Sequence, residues 1–158
     1  MTETNRVLVV EDDPKLGGIL VRALADDGIA ADLADSGERA LEMSALVAYR
    51  ALVVDVILPR MDGLETCRRL RRGGLCAPVV VISAHDLDEV DVWAAGGDDF
   101  LRKPFAMAIL TDVIVHTPNH RPGDRWPAQR DLLPPPMPPP PRRSLRHPLR
   151  SSCTKSTG

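Results

Sequence analysis

The chain is poor in aromatic residues: two Phe, two Trp and one Tyr, or 3% of 158 residues. Its core must therefore be built from aliphatic side chains, and no series of rings exists on which nucleic-acid bases could stack. It has three cysteines, Cys67, Cys76 and Cys153. That odd number, without metal-ligand spacing, excludes a disulfide framework and a zinc centre and points to free thiols in a reducing compartment. Long hydrophobic runs are missing too. The N-terminus, MTETNRVLVVEDD, meets acidic residues before any apolar stretch could serve as a leader or a membrane span. The expectation is a cytoplasmic protein with no membrane partner.

Charge and proline are unevenly spread. Residues 1–115 hold 12 Lys+Arg and 20 Asp+Glu, a net −8, whereas residues 116–158 hold 8 and 2, a net +6. Eleven of the 15 prolines follow Val115. The pattern predicts an acidic folded unit over 5–115 and a disordered, Pro/Arg-rich tail over 116–158. Within that tail PPPMPPPPRRSLR favours polyproline II, and Pro138, Pro141 and Arg143 form a PxxPxR pattern. No strand pair or recognition-helix pattern occurs there, so no sequence-specific DNA binding is expected.

The acidic unit alternates between short apolar runs and helical patterns. RVLVV, IAADLA, ALVVD, APVVVIS and DDFL read as strands. Between and after them lie five helical stretches. The first starts at Pro14, places Leu16, Ile19, Leu20, Ala23 and Leu24 at helical spacing, and stops at Gly28. Ser36 is suited to cap the second, which carries Ala40, Leu41, Ser44 and Leu46 to Ala48. The third puts Leu64, Cys67 and Leu70 on one side and Arg68, Arg69, Arg71 and Arg72 on a solvated face. The fourth, DEVDVWAAGG, lacks an apolar stripe, and Trp93 reads as core filler or as misplaced. The fifth, AMAILTDVIV, is cut short by Pro118 and Pro122. Strands apolar throughout belong to parallel sheets covered on both faces. The fold class is α/β: a flavodoxin-like, doubly wound five-stranded parallel sheet, (βα)5, with shortened fourth and fifth helices.

Right-handed crossovers place the C-terminal ends of all these strands on one edge, where sites form in such folds. Strand one ends in Glu11-Asp12, strand three in Asp55, strand four in Ser83, and Lys103 follows strand five. Closely spaced carboxylates are costly to ionise together, and a hard divalent cation, Mg²⁺ or alternatively Mn²⁺, removes that cost. With Lys103 as a second positive charge, Asp55 suits the role of nucleophile toward a phosphoryl group, and the Ser83 hydroxyl that of a donor to its oxygens. Gly96-Gly97 reads as a turn, since no Walker or GxGxxG pattern accompanies it. Cys67 and Cys76 read as structural, and Asp13 as a solvated acid.

The stretches VLVVEDDP, LVVDVILPRMDGLE, VVVISA and GGDDFLRKPF resemble the receiver domains of two-component response regulators, and among them the receivers attached to winged-helix DNA-binding domains. The resemblance implies that Asp55 is the phosphoacceptor, supplied by a sensor histidine kinase. It implies that Glu11, Asp12, Asp55 and the backbone carbonyl of Ile57 hold Mg²⁺. Ser83 and Phe100 become the switch pair and Lys103 the phosphate-pairing lysine, with a cis Lys103-Pro104 peptide. A downstream protein of unknown identity reads the switch at the face of helix four, strand five and helix five. Homodimerisation through that face is expected to be impaired, because Ser83 and Lys103 are only 20 positions apart, a shorter spacing than the resemblance implies. Apolar Ile57, two places after Asp55, is expected to hinder water attack on an acyl phosphate. Two alternatives stand beside this reading: a receiver reduced to a protein-binding module, and an aspartyl-phosphate phosphohydrolase. Such hydrolases commonly need an acid where Ile57 stands.

Overall fold

The computed structural model describes residues 5–116. Ten elements alternate along them: β1 (Arg6–Val10), α1 (Pro14–Asp26), β2 (Ala30–Ala34), α2 (Gly37–Leu46), β3 (Ala51–Asp55), α3 (Gly63–Arg72), β4 (Val79–Ser83), α4 (Glu89–Ala94), β5 (Asp99–Arg102) and α5 (Met107–His116). The strands form one parallel sheet in the order β2-β1-β3-β4-β5. The chain reverses its winding direction at β1 and β3, and the crevice at their C-terminal ends is where such sheets bind ligands.

Side-chain alternation divides the core. Leu8, Val10, Leu52, Val54, Val79 and Val81 face one layer, where Ala40 of α2, Cys67 and Leu70 of α3 and Val92 of α4 pack. Val7, Val9, Val53, Val80 and Ile82 face the other, against Leu20 and Leu24 of α1 and Leu110 and Ile114 of α5. All these side chains are almost fully buried, and each large one contributes about 1.5–3 kcal/mol by leaving water. As expected, the core is aliphatic and the sheet is covered on both sides.

Polar residues set the helix starts. Asp13, Ser36, Asp62 and Asp88 each accept a hydrogen bond from a first-turn amide, of Lys15, Arg39, Glu65 and Val90 respectively. Gly28, beyond α1, has φ +78°, a conformation that favours glycine. The Lys103-Pro104 peptide is cis. α4 is only six residues long, and α5 runs ten, to the limit of the described residues. Among the described residues, no helix is long and apolar enough to cross a membrane. The tail expected over 116–158 lies outside the described residues except for His116, so its disorder and polyproline conformation do too.

Five local readings are corrected or decided. Ile19 is half-exposed, because the buried stripe of α1 runs through Gly17, Leu20 and Leu24 and Ile19 sits beside it. Leu46 is 81% exposed, since α2 ends there and Val47 is already extended. Of the two readings of Trp93, its 44% exposure rejects core filler; Val92 fills the core instead. Cys76 is exposed in the α3–β4 connection, so only Cys67 is buried among the described cysteines.

The fifth concerns Arg71, which is no solvated arginine. Its guanidinium donates to the carbonyls of Gly96 (3.0 Å), Leu75 (2.9 Å) and Ala77 (2.7 Å) and to Asp98 (2.7 Å). Asp98 also accepts from the Val79 amide at 2.8 Å. One side chain thus ties the end of α3, the start of β4 and the turn before β5 together at the N-terminal edge of the sheet. Gly96 is part of that arrangement: it has φ +96°, and a Cβ there would lie 2.6 Å from Cγ of Arg71.

Candidate functional site: a lysine between two buried carboxylates

β3 carries Asp55 to the C-terminal edge, and β1 delivers Glu11 beside it. Both carboxylates are buried, at 4% and 2% exposure. The loop after Asp55 folds back tightly. The Gly63 amide donates to the Val56 carbonyl at 2.8 Å, and a Cβ at Gly63 would lie 2.1 Å from the Asp55 carbonyl oxygen. Only glycine permits that approach, which explains Gly63 eight places after the acid. The turn also aims the Ile57 amide at Asp55 Oδ1, 2.9 Å away.

Lys103 closes the cluster. Its ammonium donates to Asp55 Oδ2 and, at 3.2 Å, to Glu11 Oε2. Its position follows from register: Arg102 pairs with Ser83, and the Lys103 amide donates to the Ser83 carbonyl at 2.8 Å. Glu11 Oε1 accepts from the Asp13 amide at 3.1 Å.

The charges do not balance. One ammonium faces two carboxylates. Burial, then the hydrogen bond it shares with Asp55, pushes the Glu11 carboxyl up to about 8. Burial opposes ionisation of Asp55 as well, but hydrogen bonds from Glu11, Lys103 and the Ile57 amide outweigh it and hold Asp55 below the ordinary carboxylate value. Burial alone would lower the Lys103 pKa, and its bonds to the two acids raise it instead. The two acids therefore resist being ionised together with only one ammonium beside them. A site short of positive charge, with hard oxygen donors and no His or Cys among them, fits a Mg²⁺-type cation.

Not every expected ligand joins the pair. Asp12 is exposed, and among the described residues no group of three or more His, Cys, Asp or Glu side chains is gathered as a metal cage. Asp13, next to it, is exposed as expected but has a definite task as the cap of α1. Ser83 is fully buried at the end of β4, and its Oγ accepts from the His85 amide at 3.1 Å. Phe100 is half-buried on β5 and packs against the α2–α3–α4 side of the core. The Ile57 side chain is exposed beside Asp55. The sequence reading missed the role of Gly63; its only signal was a glycine opening a helix soon after a strand-end acid.

Fold and pocket together define a class: a doubly wound parallel α/β protein with a carboxylate–lysine cluster at its topological switch point. The chain belongs to the response regulator receiver domain family, whose model matches residues 7–115. It is 46% identical over 107 residues to response regulator MprA of Mycobacterium ulcerans, a match covering 66% of this chain and 46% of that protein. MprA of Mycobacterium leprae is 45% identical over the same length, with 66% and 47% covered. The chain thus spans about half the length of the curated relatives it matches. Among solved structures it resembles the receiver domain of a Francisella response regulator (TM-score 0.66, 30% identity, 70% of this chain and 93% of that one). It also resembles the response regulator TrrA of Thermotoga maritima, solved in complex with Mg²⁺ and BeF (TM-score 0.65, 26% identity, 71% and 97%).

Proposed function

We propose that this receiver accepts a phosphoryl group on Asp55 from the phosphohistidine of a sensor kinase, in a reaction that requires Mg²⁺. The observation that carries the reading is Asp55 itself: a buried carboxylate with Lys103 on one oxygen and a backbone amide on the other. An Asp55 oxygen attacks phosphorus as the bond to the donor nitrogen breaks, giving an acyl phosphate and an imidazole that leaves neutral because its other ring nitrogen carries a proton. Glu11 and Asp55, with Asp12 and the Ile57 carbonyl as further oxygens, would hold Mg²⁺, which would supply charge neutralisation there.

Lys103 lies on Asp55 and pairs with the charge that arrives. Ser83 Oγ accepts from His85 and so keeps its own hydrogen to donate to a phosphoryl oxygen. Drawing Ser83 toward that group shifts the end of β4, and Phe100, on the neighbouring strand, responds by turning inward. A partner protein reads the change on the α4–β5–α5 face, and the setting is the cytoplasm.

Intact-mass spectrometry after incubation with acetyl phosphate tests the reading. We expect one phosphoryl adduct that requires Mg²⁺ and is lost in Asp55→Asn. Folded protein without an adduct contradicts it. The second reading, a protein-binding module without phosphoryl chemistry, would then lead; the exposed position of Asp12 is the observation in its favour.

A further inference from the structure

α4 presents an apolar pair to solvent in the middle of an acidic stretch. Val90 and Trp93, three residues apart on one helix face, are 61% and 44% exposed. Residues 85–97 contain Asp86, Asp88, Glu89 and Asp91 and no Lys or Arg. Asp86 pairs with Arg102. Among the described residues Asp88, Glu89 and Asp91 form no ion pair, although Asp88 caps the helix. A face of this kind, apolar at its centre and negative at its rim, suits a segment that is apolar and positive.

The same chain supplies one. Residues 134–146, PPPMPPPPRRSLR, hold seven prolines, a methionine, a leucine and three arginines, with no acid. We propose that this segment docks in cis on α4, with prolines against Trp93 and Val90, and Arg142, Arg143 and Arg146 facing Asp88, Glu89 and Asp91. Proline and arginine are both suited to an indole face. The opposite net charges of the two parts of the chain, −8 over 1–115 and +6 over 116–158, favour the contact. Reach is no obstacle. Pro134 lies eighteen positions after His116, and that length of chain, extended, spans up to about 60 Å. Proline rings fix φ, so a segment with seven prolines has little backbone freedom to lose on docking. The proposal does not depend on phosphoryl transfer.

The full chain carrying Trp126→Phe makes Trp93 the sole indole, and quenching by acrylamide, a neutral probe, reads its shielding. We expect Trp93 to be shielded at all protein concentrations. Arg142→Glu, Arg143→Glu and Arg146→Glu together should remove the shielding, and adding Glu89→Arg and Asp91→Arg to that variant should restore it. The charge swap separates docking from damage to the fold. Quenching that is the same in all three proteins overturns the proposal. Shielding that grows with protein concentration also overturns it, because the occupant is then a second copy of the chain.

Discussion

The two edges of the sheet each hold a cation against buried or half-buried acid, and they are built to opposite ends. At the N-terminal edge Arg71 places its donors on three carbonyls and Asp98, and Asp98 receives a backbone amide besides. One positive charge meets one negative charge. At the C-terminal edge Lys103 meets two carboxylates, and Glu11 holds its proton up to about 8 because burial and Asp55 oppose its ionisation. The first cluster is complete as it stands, so its value is structural. The second lacks the positive charge needed to ionise both of its acids, which is the condition for taking up a cation and a phosphoryl group. Burial and ion pairing alone do not separate a site from a brace; the balance of charge does.

The largest effect should come from breaking the brace. Arg71→Met removes the guanidinium and leaves Asp98 and three carbonyls without it, and breaking a buried pair in this way is strongly destabilising. Because the pair keeps some solvent contact, we expect a loss of about 2–3 kcal/mol in urea unfolding. A loss below about 0.5 kcal/mol, the range of an ordinary surface change, would show that Arg71 is dispensable.

Matched substitutions of the two acids sharpen the contrast. Asp98→Asn discards a charge that is balanced and should cost about 1–2 kcal/mol. Asp55→Asn relieves an imbalance and should be neutral or stabilising by up to about 1 kcal/mol in the absence of Mg²⁺. If both variants lose the same stability, the two clusters are energetically alike and the distinction fails.

A smaller effect concerns a surface pair away from both edges. Arg6 and Asp32 join β1 to β2, and the Tyr49 hydroxyl donates to Asp32 at 2.9 Å. The Arg6 hydrogen bond first, helped by Tyr49 and opposed by burial, holds Asp32 below the ordinary carboxylate value. With the folded pKa depressed, the stabilisation is present above the unfolded value of about 4 and is lost as pH falls through the folded one. The stability gap between the wild-type chain and Asp32→Asn should therefore be small at neutral pH and close in acid. A gap that widens below pH of about 4 would contradict this.

Much of the fold was legible because its signals are repetitive. Five apolar runs and their intervening helical patterns set the order of elements, and Pro14, Ser36 and Gly28 marked boundaries that the structure keeps. The meeting of Glu11, Asp55 and Lys103 was legible for the same reason: parallel crossovers send every strand end to one edge. What was hidden depends on rotation and long-range contact. Arg71 lies among three other arginines on α3, and only the folded chain shows that it alone points to Asp98, 27 positions on. Asp12 follows Glu11 directly, yet one side chain is buried and the other exposed, because neighbouring residues at a strand end point in opposite directions. Trp93 was hard to place because a six-residue helix offers too few positions to define a stripe.

The most direct test of the central claim is a Mg²⁺ titration of the full chain followed by amide proton–nitrogen spectra. The account predicts saturable shifts for the amides of Ile57, Ser83 and Lys103, around the pocket that lacks positive charge, and none for Val79, Gly96 and Asp98, around the balanced one. Shifts at neither edge, or equal shifts at both, would contradict it.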